Sequence, residues 1–272
     1  MKRILVPVDF SKEAENAAQV AVSIAKKSNG CIYLLHMLEL PEITENYNFS
    51  GQAEPLFFMN MAKKRFDSFL KLPFLKGIEV HTKILFYKAF DGIKDEAKSL
   101  NIDLIIMGSK GATGLKEVFI GSNTEKVVRC ADVPVLVIKE PLVNFTLNNM
   151  VFASDFNPIG KKTFQKVLDF ARFFNAKIYL LYVNTIHNFE TTEDSLSNIH
   201  NYINGFDLNN YTITIYNANS VEQGILTFSK SVNADAIALN TNGRSGLSQL
   251  FNGSIGVEIT NHAMAPVVTF KL

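Results

Sequence analysis

A chain of 272 residues, 47% hydrophobic and 19% charged, has the balance of a compact globular protein, with room for one large domain or two of about 100 to 150 residues. Its 27 Lys and Arg against 26 Asp and Glu leave a formal charge of +1, so composition supports neither a nucleic-acid nor an anionic-lipid partner. No stretch reaches the roughly 18 to 20 uninterrupted apolar residues of a membrane helix, and Met1-Lys2-Arg3 runs straight into a short apolar segment rather than a signal core, which predicts a cytoplasmic protein.

In chain order, residues 3–8, 31–38, 77–86, 103–107 and 133–139 are apolar or β-branched runs that read as strands. Between them, residues 12–27 place Ala14, Ala17, Ala18, Ala21, Val22 and Ala25 on one helical face behind a Ser11 cap. Residues 55–72, 89–100 and 123–131 supply three further helices, the first with an apolar stripe of Phe57, Phe58, Met61, Phe66, Phe69 and Leu70 expected in the core. A second series of strands follows at 150–154, 177–183, 211–216, 234–239 and 266–271. Cys31 and Cys130 both fall in apolar or helical patterns and read as buried free thiols, neither a disulfide nor a metal site. His36, His81, His187, His200 and His262 show no metal-ligand spacing and no pairing with a nucleophile.

The two series are copies. Cys31-Ile32-Tyr33-Leu34-Leu35-His36 recurs as Lys177-Ile178-Tyr179-Leu180-Leu181-Tyr182, and Val8-Asp9-Phe10-Ser11 as Ser154-Asp155-Phe156-Asn157, both 146 residues on. Gly111-Ala112-Thr113-Gly114-Leu115 recurs as Gly243-Arg244-Ser245-Gly246-Leu247, and Gly121-Ser122 as Gly253-Ser254, now 132 residues on. The loss maps to a long polar connection at 39–54, shortened to 184–192 in the second copy. The expected organisation is a domain at 1–140, a short polar linker and a domain at 149–272. Strand–helix alternation makes each an α/β, doubly wound, five-stranded parallel sheet.

The chemistry concentrates after the fourth strand of the first copy. Gly108 follows that buried strand and Gly121-Ser122 opens the next helix, so both lie at the carboxyl end of the sheet, where a helix N-terminus offers free N–H donors to phosphate. With strand order 3-2-1-4-5 the topological switch point falls between strands one and four, and the first of these ends in Pro7-Val8-Asp9. Asp9 then either meets a ribose or adenine amino group, or belongs to the first turn of the helix behind it. Lys110 and Lys116, with Arg244 in the second copy, are loop cations whose plainest role is a solvated surface.

The pattern Gly-x2-Gly-x9-Gly-Ser from Gly108 to Ser122, with Pro7-Val8-Asp9 and the last-strand Pro134-Val135-Leu136-Val137, resembles the universal stress protein family over nearly the whole chain, twice. The resemblance implies an adenine nucleotide α-hydrolase-like fold with the last strands pairing between domains, an intramolecular pseudo-dimer open to further homodimerisation. It also implies ATP as ligand, with Mg²⁺ as a possible companion. By position it implicates Pro7, Val8, Asp9, Met37, Met107, Gly108, Gly111, Gly121, Ser122 and Asn123, and as a second site Asp155, Val183, Asn240, Gly243, Gly253 and Ser254. Asn240 stands where Gly108 stands, adding side-chain atoms near the phosphates or ribose.

No catalytic constellation emerges. The Ser-Gly-Gly-x-Asp-Ser and His-x-Gly-His loops of related ATP-using enzymes are missing after Val8 and Ala153, so the expectation is a regulatory binding module. The alternatives are a nucleotide-free interaction scaffold or small-ligand binder, and a slow ATP hydrolase.

Overall fold

The structure, a computed structural model, describes residues 1–38, 53–86, 89–109, 120–241 and 255–272. Its first half runs β1 Arg3–Pro7, α1 Lys12–Ser28, β2 Cys31–Leu38, α2 Ala53–Phe69, β3 Glu79–Phe86, α3 Ala89–Ser99, β4 Leu104–Gly108, α4 Ser122–Cys130 and β5 Val135–Ile138. The second runs β6 Asn149–Ala153, α5 Lys161–Phe174, β7 Lys177–Asn184, α6 Thr192–Ile203, β8 Tyr211–Asn217, α7 Val221–Ser231, β9 Ala236–Thr241, α8 Ile255–His262 and β10 Val267–Lys271. Among the described residues no helix is long and apolar enough to cross a membrane.

Local chemistry explains the elements. The Ala14 N–H donates to Ser11 Oγ at 3.2 Å and caps α1, while Asn29, at φ 53°, ends it in the left-handed conformation that asparagine tolerates. Ala14, Ala17, Ala18, Ala21 and Ala25 are buried, and their small side chains let α1 lie close on the sheet. The corresponding α5 is built instead from Phe164, Val167, Leu168, Phe170 and Phe174, all buried. The same backbone course is thus packed with larger side chains in the second half.

All ten strands form one sheet, ordered β3-β2-β1-β4-β5-β10-β9-β6-β7-β8. Each half has the expected order 3-2-1-4-5 and is parallel throughout, and the halves meet where β5 and β10 pair antiparallel, with Val137 opposite Val267, Leu136 opposite Val268 and Val135 opposite Thr269. The two faces differ. On the side of α1 and α5 one continuous core spans the junction and includes Ile106, Leu136, Ile138, Phe152, Phe170, Val268 and Phe270. On the other side each half keeps its own cluster.

Three expectations need correction. Residues 140–148 are not simply a polar spacer, because Phe145 and Leu147 are buried in the shared core. In α2, Phe66 and Phe69 are core, but Phe57 and Met61, with Leu70 just past its end, face solvent, since a single helix on the outer part of the sheet buries one side only. Cys31 and Cys130 are free thiols but half-buried.

Thr269 gives a stability test. It is 1% exposed, and among the described residues its hydroxyl has no hydrogen-bond partner. Its counterpart 132 positions earlier is Val137. Thr269→Val keeps the shape and removes the cost of an unpaired buried hydroxyl, so denaturant unfolding should show a gain of about 1 kcal/mol; an unchanged or lower stability would mean that the hydroxyl is satisfied.

Candidate functional site

β1 hands the chain to α1 on one face of the sheet, whereas β4 leads to α4 on the other, so a crevice opens beyond the carboxyl ends of these adjacent strands. Pro7 ends β1, and the Val8 N–H donates to the Leu35 carbonyl at 2.8 Å. Asp9 Oδ1 accepts from the Ser11 N–H at 3.0 Å and from Ser11 Oγ at 2.5 Å, closing a turn that places Phe10 at φ 64°. The second half repeats it: Asp155 Oδ1 accepts from the Asn157 N–H at 3.1 Å and Phe156 sits at φ 51°. A phenylalanine with positive φ is unusual, and its recurrence marks this turn as a property of the fold. In the first half aromatic packing holds it, with Phe10 against His36 at 4.6 Å and Phe66 at 5.0 Å between ring centres.

On the β4 side, Met107 is buried, and Gly108 has a reason to be glycine that does not involve a ligand. A Cβ there would lie 2.8 Å from the Glu13 backbone carbonyl and Cβ, so the glycine lets β4 end against the first turn of α1. The Gly108 carbonyl accepts from Thr124 Oγ1 at 3.0 Å, and the Ser109 carbonyl from the Gly121 N–H at 2.8 Å, which brings the start of α4 back to the end of β4. Gly121 caps α4 without a side-chain hydrogen bond, and the exposed Ser122 and Asn123 form its first turn. The helix start therefore presents backbone N–H donors at the crevice. Met37, half-buried, lies near the end of β2. Gly111, Lys110 and Lys116 lie outside the described residues.

Two contributors escaped the sequence reading. His36 Nδ1 lies 2.7 Å from the Val8 carbonyl, which can only accept, so the ring donates from Nδ1 and pins the end of β1. The Ile120 N–H donates to Asn261 Oδ1 at 2.7 Å, so a residue of α8 in the second half holds the chain just before α4. Nothing in the sequence near Asn261 announces this, because the contact exists only once β5 and β10 have paired.

The corresponding crevice in the second half is built differently. Asn240 is buried and accepts from Thr163 Oγ1 at 3.2 Å, its amide nitrogen lying 3.0 Å from where a Gly160 Cβ would stand. The residue lacking a side chain has moved from the strand, Gly108, to the helix start, Gly160, where the first half has Ala14. The Asn240 amide thus packs toward α5. Val183 is packed under Gly224 of α7. The shorter connection after β7 folds back, with the Glu190 N–H donating to Asn184 Oδ1 and Asn184 Nδ2 to the Glu190 carbonyl, both at 3.1 Å. Burial raises the Asp155 carboxyl above its usual range, and the nearby Glu190 carboxylate pushes the same way. Burial likewise raises the Tyr182 phenol, to about 12. Gly243, Arg244, Gly253 and Ser254 lie outside the described residues.

Two measurements follow. Gly108→Ala should cost about 1 to 3 kcal/mol, as overpacking against a helix backbone does, and a variant as stable as the parent would show that α1 gives way. Burial, with Arg65 adding to it, lowers the His36 pKa below its ordinary 6.5. The unfolded chain therefore takes up this proton first as pH falls. Stability should decline as pH drops from about 6.5 toward the lowered value, and His36→Gln should remove that part of the decline in thermal melts between pH 7.5 and 5.5; matching profiles would exclude His36 as its source.

The profile of the Universal stress protein family matches residues 1–139. Universal stress protein MJ0531 of Methanocaldococcus jannaschii is 29% identical over 141 residues, covering 52% of this chain and 83% of that protein. Universal stress protein MJ0577 of the same organism is 32% identical over 157 residues, covering 51% and 94%. A universal stress protein structure from Archaeoglobus fulgidus superposes on 99% of this chain and 96% of its own with a TM-score of 0.74 at 19% identity, so both halves share that fold. A motif-bearing crevice, a tandem α/β sheet and a profile match over half the sequence converge: the chain belongs to the universal stress protein family.

Proposed function

We propose that the first-half crevice binds ATP and that the protein acts as a nucleotide-dependent stress-response binding module made of two domains, 1–140 and 149–272. The observation that carries the reading is the meeting, at the ends of β1 and β4, of the Asp9 turn and the start of α4, whose first residues Ser122 and Asn123 are exposed and which the Gly108 carbonyl holds through Thr124. The N–H groups of Ser122 and Asn123, with the Ser122 hydroxyl, suit a polyphosphate, the Gly121 N–H being held by the Ser109 carbonyl. Pro7, Val8, Asp9 and Met37 suit the nucleoside, and Met107 and Gly108 the floor between them. Gly111 belongs to the same motif, and Mg²⁺ is the natural companion of bound triphosphate. The choice of adenine rests on the family resemblance.

The second-half crevice is the weaker candidate for a polyanion. Its difficulty is not the bulk of Asn240, which packs toward α5, but the carboxylates of Asp155 and Glu190 facing one region. In this reading the second half completes an intramolecular pseudo-dimer. A scaffold that never holds nucleotide would keep the same β5–β10 pairing, and binding measurements separate the two.

With no Trp and eight Tyr the protein absorbs weakly near 280 nm, so bound nucleotide is visible as excess absorbance at 260 nm. Isothermal calorimetry with ATP should show one site per chain. Ser122→Asp should weaken it about tenfold or more through like-charge repulsion, while the fold is retained because an acid suits the first turn of a helix. A parent that neither carries nor binds ATP, or a variant that binds equally well, would refute the assignment.

A further inference from the structure

At the opposite end of the first-half strands, three side chains of different chemistry converge. Cys31 opens β2 and stands directly across from Glu79 in β3, and His81 follows two residues later on the same face. The Cys31 thiol, a Glu79 oxygen and a His81 ring nitrogen all lie within 4.8 Å of one another. Around a tetrahedral zinc ion, with bonds of about 2.0 to 2.3 Å, such ligands stand roughly 3.3 to 3.7 Å apart, so small side-chain rotations close the set. His81 Nε2 and Glu79 Oε1 are already 2.9 Å apart. We propose that Cys31, Glu79 and His81 form a binding site for a zinc-class divalent cation, with water in the remaining position.

The surroundings suit that role. Tyr33, between Cys31 and Leu35 on β2, stacks on the His81 ring at 4.9 Å with an interplanar angle of 25°, which limits the orientations of the imidazole. A thiolate and a carboxylate match the two positive charges of the ion, and the neutral imidazole adds a borderline-soft nitrogen. The nearby cations are engaged elsewhere: Lys83 Nζ lies 2.7 Å from the buried Glu96 carboxylate, and Arg3 donates to the Leu100 carbonyl at 3.0 Å. A cleft of about 200 Å³, lined in part by Tyr33, His81 and the Lys83–Glu96 pair, opens beside the cluster and gives water a path to it.

The plainer reading is an exposed Glu–His ion pair next to an unremarkable thiol, since Glu79 and His81 side chains are 70% and 48% exposed and such pairs contribute little. The internal repeat argues against the cluster being a requirement of the fold. The registers Ile32 to Val80 and Ile178 to Tyr211 place Lys177, Asn210 and Thr212 at the equivalent positions of the second half. There Lys177 lies over the Tyr179 ring at 4.6 Å, and the same strands form without any ligand set. The cluster is roughly 20 Å from the end of β2, given about 3.3 Å per strand residue, and so does not depend on the nucleotide reading.

The test is titration of the reduced full-length protein with Co²⁺, followed by competition with Zn²⁺. One equivalent should produce a near-ultraviolet thiolate-to-cobalt band that Zn²⁺ abolishes. The band should vanish in Cys31→Ser and persist in Cys130→Ser, and His81→Ala or Glu79→Gln should weaken Zn²⁺ at least about tenfold. Circular dichroism of each variant confirms that the chain is folded, so that a lost band reports on ligation. No band in the parent, a band surviving Cys31→Ser, or unchanged Zn²⁺ affinity in both His81→Ala and Glu79→Gln would overturn the proposal.

Discussion

The antiparallel contact between β5 and β10 fixes how everything else is arranged. Each is the last strand of its half, and each carries residues, Leu136 and Ile138 or Val268 and Phe270, with no exposure at all. Left as edges, these short apolar strands would offer unpaired backbone groups to any other chain. Pairing them with each other makes the interior of one ten-stranded sheet out of two edges and lets a single core run across the junction on the α1 and α5 side. The match of Leu136 with Val268 at its centre gives the pair an approximate twofold symmetry. Lys139 obeys it by reaching the Asn261 carbonyl in the last turn of α8, and Lys271 by reaching the Cys130 carbonyl at the end of α4, so each half places a cation on the negative helix end of the other.

Within that symmetry the halves have diverged by paired, local changes. Ala18 and Ala21 on α1 give way to Phe164 and Val167 on α5, while Gly108 and Ala14 give way to Asn240 and Gly160. In the second exchange the space between strand end and helix start is conserved, while the element that supplies the atoms changes. This matters for function, because a large residue at the position of Gly108 blocks a ligand only if its side chain points outward. Asn240 instead accepts a hydrogen bond from Thr163 in a buried position. In the second crevice the counterpart of Asp9, Asp155, has Glu190 of the shortened connection near it.

Period, breaker residues and repetition made most of the architecture legible. Buried parallel strands such as Leu104–Gly108 are continuous apolar runs, and the constant offset between copies predicts a duplicated topology. Observed ends lie within three residues of the expected ones, the largest difference being at the end of α2, expected at 72 and found at Phe69. What stayed hidden depends on partners distant in sequence. The need for glycine at 108 comes from the backbone of Glu13, and the role of Asn261 from Ile120, 141 positions away. The Cys31, Glu79 and His81 set appears only when β2 and β3 are laid in register, since no linear spacing joins residue 31 to residues 79 and 81. Phe57 and Met61 look like core on the helical wheel, yet α2 buries only the side that reaches Phe10 and His36.

The second half also bears on the chemistry proposed for the first. The helix that would receive the phosphates is held at both ends from across the junction, by Asn261 on the Ile120 N–H just before it and by Lys271 on the Cys130 carbonyl at its close. Both partners flank β10 or lie on it, so the position of α4 depends on the same pairing that seals the sheet. A ligand that fixes the start of α4 must, by reciprocity, favour the arrangement of α8 and β10 that holds it. The element that would link the two is α4, through its defined contacts at each end. Divergence of the second crevice then leaves its half with a task the first cannot perform alone, which is to set the geometry of the helix N-terminus on which the proposed phosphate contacts depend.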